Sequence, residues 1–94
     1  MHYCYILYSG SSDRYYIGET EDISRRLLEH NNHMFKNAST VIASDWEVYI
    51  LFSLPDRTIA RAMERYIKKM KSRKFIERFK EDENFKNSIL KQFT

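Results

Sequence analysis

Two glycines and one proline in 94 residues leave no material for a linker, a low-complexity tract or an internal repeat. A single cysteine, Cys4, excludes an internal disulfide and suits a reducing compartment. With that one thiol and only His2, His30 and His33, zinc-type ligand spacing is absent as well. No apolar run approaches the roughly 20 residues of a membrane helix. The opening Met-His-Tyr-Cys lacks the basic and then apolar pattern of a secretory leader. The expectation is a cytoplasmic protein with no membrane attachment. Acids are scarce in one place: residues 57–80 hold 10 Lys/Arg against 2 Asp/Glu, a balance of +8. Residues 1–56 stand at −4 and residues 81–94 at −1, which gives the net +3. One basic segment on a mildly acidic chain is what a phosphate backbone selects, although a solvated lysine-rich helix face has the same composition.

What is present is ordinary for a folded domain: 43% hydrophobic and 31% charged residues, in a chain long enough for one modest core. HYCYILYS (residues 2–9) reads as a strand, Gly10 to Asp13 as a turn, and RYYIGE (14–19) as a second strand closing an antiparallel hairpin. Thr20 or Asp22 caps a helix whose apolar residues are Ile23, Leu27 and Leu28. Residues 31–45 form a long polar loop, and WEVYILFSL (46–54) is a third strand, expected to be the most buried. Pro55 and Asp56 start a helix with its stripe at Ile59, Met63, Tyr66, Ile67 and Met70. Helical pattern resumes around KFIERFK and FKNSILKQF, with the acidic EDEN between them. The predicted class is α+β, a three-stranded antiparallel sheet flanked by helices, with residues 1–80 as the working domain and 81–94 as its helical tail.

Tyrosine is concentrated in the first two strands, where packing alone accounts for most of it. Alternation lets Tyr5 and Tyr16 share a face of the hairpin and bring two phenols together. In the first helix, steps of about 100° place Arg26 and His30 on the shoulder of the buried stripe. A guanidinium there needs an anion: an acid such as Glu19 or Glu29, or a visiting one. Glu64 is one of only two acids in the basic segment. It either pairs with Lys68 at i, i+4, or supplies a carboxylate for a hard divalent cation in a field built for phosphate.

These residues resemble the GIY-YIG nuclease family. Tyr16-Ile17-Gly18 is the second half of the family's motif, followed here by Glu19. Tyr3-Cys4-Tyr5 keeps the final tyrosine of the first half. The resemblance continues through RLLEH (Arg26 and His30), Trp46, and ARAMERYIKKMKSRK with its Ala, Glu64 and Lys68 spacing, over roughly residues 2–79. The chain resembles small stand-alone members and is similar to the N-terminal incision domain of the bacterial excision-repair nuclease.

The resemblance implies a metal-dependent endonuclease that hydrolyses nucleic-acid phosphodiester bonds, in DNA above all, with Mg²⁺ or Mn²⁺ on Glu64. By resemblance Tyr5 and Tyr16 are the paired tyrosines, one of which activates or orients water. Arg26 would neutralise charge on the phosphate, and His30 would hydrogen-bond a tyrosine or phosphate. Gly18 would let the backbone pass close to the substrate, and Lys68, Lys71, Arg73 and Lys74 would hold flanking phosphates. A protein partner would add specificity. Two other readings stand beside this one: a nucleic-acid-binding module without catalysis, and a protein-interaction domain whose basic face meets an acidic partner.

Overall fold

The computed structural model describes residues 1–35 and 39–94. Strand β1 (His2–Ser9) and strand β2 (Arg14–Thr20) precede helix α1 (Ile23–Asn31). A short 3₁₀ turn (Ser39–Ile42), strand β3 (Trp46–Leu54) and helices α2 (Arg57–Met70), α3 (Arg73–Glu81) and α4 (Glu83–Lys91) follow. The strands lie in the order β2-β1-β3 with both pairings antiparallel, which is the predicted α+β class. No helix among the described residues is long and apolar enough to cross a membrane.

Alternation along β1 divides the interior. Cys4 and Ile6 face a larger layer built from α2, α3 and α4, together with Ile50, Phe52 and Leu54 of β3. Tyr5 and Leu7 face the opposite side, against Trp46 and Ala43, with Ile23 and Leu27 of α1 packed on them. The most buried strand is therefore β1, not the third one. β3 pairs on one side only, and its Glu47, Val48 and Ser53 are exposed.

Each helix starts where its first residues allow. The carboxylate of Asp22 accepts from Arg25 N, that of Asp56 from Ile59 N and that of Asp82 from Phe85 N, and Ser72 Oγ accepts from Phe75 N. Asp82 also ends α3, so the acidic stretch is a shared cap between two helices rather than a loop. Two predicted stripes are redrawn. In α2 the buried residues are Ala60, Met63 and Ile67, while Met70, the last residue of the helix, is exposed. In α1, Leu28 is 63% exposed and the buried side chain is His30. A short helix on the small face needs only one narrow contact line, and that line runs through the imidazole.

Candidate active site

Hairpin register brings the tyrosines to one face. Tyr5 stands opposite Gly18 and Leu7 opposite Tyr16, so the two phenols are diagonal neighbours, with ring centroids 6.4 Å apart. The Tyr5 ring lies directly over Gly18: a Cβ added there would come within 2.6 Å of Tyr5 Cζ. What approaches the Gly18 backbone closely in this fold is thus the Tyr5 phenol.

That phenol is tied down from its far end. Tyr5 Oη lies 2.9 Å from His30 Nε2, and His30 Nδ1 lies 2.9 Å from Thr40 Oγ1. Trp46 Nε1 in turn donates to the Thr40 carbonyl at 2.8 Å, and the Asn31 side chain bridges the Trp46 backbone at both N–H and C=O. Tyr5, His30 and Thr40 are all within about one percent of complete burial. Burial, and after it the Arg26 charge, depresses His30 to about 4, so the imidazole is neutral and offers one donor and one acceptor to its two partners. Its ring also meets Tyr16 edge-on at 4.8 Å and Phe35 at 4.9 Å.

Arg26 sits one turn before His30, with its guanidinium 5.0 Å above the Phe35 ring. Its Nε is buried and has no hydrogen-bond partner among the described residues; the Glu29 carboxylate lies 3.4 Å away without hydrogen-bond alignment. Glu64 approaches from the other layer, and its Oε2 accepts from Lys68 Nζ at 2.6 Å. Both are felt by the same phenol. Tyr5 is pushed well above the ordinary phenol range by burial first and by Tyr16 next, with Arg26 pulling it down and Glu64 pushing it up. On the opposite face of β1, burial and then Glu64 and Glu19 raise Cys4 to about 12, leaving an inert thiol.

The predicted residues therefore gather, but not all in one open hollow. Tyr5 and His30 form a sealed floor, while Tyr16, Arg26 and Glu64 are the partly exposed members. Glu19 projects to the Cys4 side and is engaged by His2 and by Arg57, whose Nε is 3.6 Å away. Lys68, Lys71 and Arg73 line a groove of about 510 Å³ together with Arg14. Arg73 is held there by Asp13 and Glu77. Lys74, exposed in the first turn of α3, is not part of that lining.

Of the two acids expected near Arg26 it is Glu29 that stands there, and Thr40, Phe35, Arg14 and the engagement of Glu19 by His2 and Arg57 were not singled out from sequence. Thr40 and Phe35 reach the site from the segment just after α1, while His2, Glu19 and Arg57 meet across long chain separations. The only hint was the length of the polar segment in which Thr40 lies.

Among the described residues no three His, Cys, Asp or Glu side chains converge on a metal position. A lone carboxylate is nevertheless a sufficient protein ligand for a hard cation that keeps several waters and takes oxygens from a phosphate, so Glu64 fits a Mg²⁺-type ion and not a zinc-type one.

Two phenols, a guanidinium with one unsatisfied N–H and a single carboxylate thus stand near a basic groove. The family model of the GIY-YIG catalytic domain matches residues 1–78, and the chain belongs to the GIY-YIG family. Nuclease activity is the general property of this family, and it generally depends on a divalent metal. No curated protein and no solved structure matches the chain significantly.

Proposed function

We propose that this chain is a divalent-metal-dependent endonuclease that hydrolyses internal phosphodiester bonds of DNA, with residues 1–80 as the working unit and 81–94 as its tail. The observation that carries this reading is the buried Arg26 Nε, which has no hydrogen-bond partner and lies beside the phenol pair. Glu29 neutralises the guanidinium from 3.4 Å without satisfying that donor, so an arriving phosphate oxygen would supply the hydrogen bond it lacks.

Arg26 donates to the non-bridging oxygens of the scissile phosphate and neutralises charge as it builds there. Tyr16 is the partly exposed phenol, and it orients the attacking water by hydrogen bonding. Tyr5 and His30 act behind it: the Thr40–His30–Tyr5 chain fixes the floor against which Tyr16 and Arg26 are aligned. Glu64 would hold Mg²⁺ or Mn²⁺, an ion that when bound supplies positive charge at the phosphate and the leaving oxygen. Lys68, Lys71, Arg73 and Lys74 hold flanking phosphates without reading sequence. Gly18 keeps the surface beside the phosphate low by admitting the Tyr5 ring. The buried, unpaired thiol is consistent with a cytoplasmic setting. Selection of particular sites in DNA falls to a protein partner.

One observation favours a second reading, a module that binds nucleic acid without cutting it: the Glu64 carboxylate already receives Lys68. Incubating single-stranded, duplex and branched DNA with the native chain, Glu64→Ala, Arg26→Ala and Tyr16→Phe separates the two. The expected outcome is nicking in Mg²⁺ or Mn²⁺, abolished by EDTA and reduced about 100-fold or more in each variant. Equal nicking by all four proteins would reject the assignment. Salt-sensitive binding without cleavage, indifferent to EDTA and to Glu64→Ala, would establish the binding module.

A further inference from the structure

β2 lies at an edge of the sheet, so one of its sides has no neighbouring strand. Each end of it opens into a basic hollow. At the Arg14 end is the groove of about 510 Å³ carrying Arg14, Lys68, Lys71 and Arg73. At the Thr20 end is a cavity of about 270 Å³ lined by Arg25, Arg26 and Arg57, with Glu19 and His2. The first hollow lies on the Tyr15 and Ile17 face of β2, and one residue of, or bound to, the candidate centre reaches each hollow. Arg26 lines the second hollow while acting on Tyr5, and Lys68 lines the first while holding Glu64.

The acids along this line are mostly neutralised. Glu19 is engaged by His2 and Arg57, and Asp13 by Arg73 and Tyr8, leaving Glu21 as an exposed carboxylate at the rim. Arg14 and Lys71 have no ion-pair partner among the described residues. The seven residues of β2 span roughly 20 Å at about 3.3 Å each. The ~3.4 Å rise per nucleotide is measured along the duplex axis, and along the backbone of one strand successive phosphates stand roughly twice as far apart, so that length matches about three or four of them.

We propose that one strand of the substrate lies lengthwise along the open edge of β2, with the scissile phosphate midway. Phosphates on one side of it meet Arg14 and Lys71, and those on the other side meet Arg57 and Arg25. The position of the scissile phosphate rests on the nuclease reading above; the track itself rests only on the two hollows and the strand between them. A chain bound in this way is cut at an internal bond, because both flanks must be filled. Arg14, Arg25 and Arg57 are then positioning residues of the substrate strand.

The test measures binding, not cutting. Fluorescein-labelled oligodeoxynucleotides of two to ten residues are titrated with the cleavage-silent Glu64→Gln chain at physiological salt without metal, with fluorescence anisotropy as readout. Affinity should climb with length to about five nucleotides and then level off. Arg57→Ala and Arg14→Ala, each on that background, should weaken binding of eight-mers about 3- to 10-fold, leave three-mers nearly unchanged, and lower the salt slope by about one. The plateau should also arrive about one nucleotide earlier. Loss of affinity that is the same for three-mers and eight-mers, or a climb that continues past ten, overturns the track while leaving a nucleic-acid-binding protein. Absence of binding at every length rejects the nucleic-acid reading and the track with it.

Discussion

A side chain at position 18 would have to occupy space that the Tyr5 ring already fills. Gly18→Ala should therefore cost about 1–3 kcal/mol, the usual penalty of overpacking, as read by urea unfolding. Combining it with Tyr5→Leu should recover part of that loss, since the clash is with the phenol. Lys71 presents the opposite case. It closes α2 in the left-handed conformation with φ of 46°, where glycine is the easy choice and a side chain costs about 1 kcal/mol. Lys71→Gly should raise stability by about that amount in a thermal melt, while DNA binding weakens and its salt slope falls by about one. The five candidate catalytic side chains could be picked out from sequence, because each is a distinctive residue type at motif spacing. Thr40 could not: a threonine in a polar segment has no signature until the fold buries it against His30.

α1 shows where reading an element from its pattern succeeds and where it stops. Its start at Asp22 follows from capping chemistry, but its buried face does not follow from hydrophobicity, because the solvent takes Leu28 and the interior takes His30. Polarity alone cannot reveal that an imidazole will find a phenol and a hydroxyl waiting on other elements. That burial has a measurable consequence. His30 falls from 6.5 to about 4 on folding, so the unfolded chain takes up the proton first as pH drops. The stability contributed by the neutral ring is complete above pH 7, declines between about 6.5 and 4, and is level below that, a change of at most about 3 kcal/mol. Urea midpoints measured from pH 4 to 7.5 should show this decline in the native chain. They should show a shallower one in His30→Gln, whose side chain does not titrate.

At the scale of the whole molecule, hydrophobic periodicity and turn chemistry predicted the three strands, the hairpin of the first two and the helical layers. The identity of the central strand was not legible, because an apolar run such as WEVYILFSL looks the same whether one or both of its edges are paired. The charge asymmetry was legible and falls where the candidate site needs it: α2 and α3 bring the basic segment to the groove beside β2. One chain carries one such centre, so each encounter should break one strand. With supercoiled plasmid and Mg²⁺, nicked circles should accumulate before any linear product, and agarose gels over a time course will show the order.

The fit between Tyr5 and Gly18 also governs how the chain assembles. Sliding β2 by one residue turns every one of its side chains to the wrong face, and sliding it by two sets Tyr16 or Thr20 beneath the phenol, where neither has room. Position 18 therefore works as a keyhole that only one alignment of the hairpin can enter. A molecule that has closed its hairpin has, in the same act, set the two phenols in place, so a well-folded but miswired form of this domain should be rare.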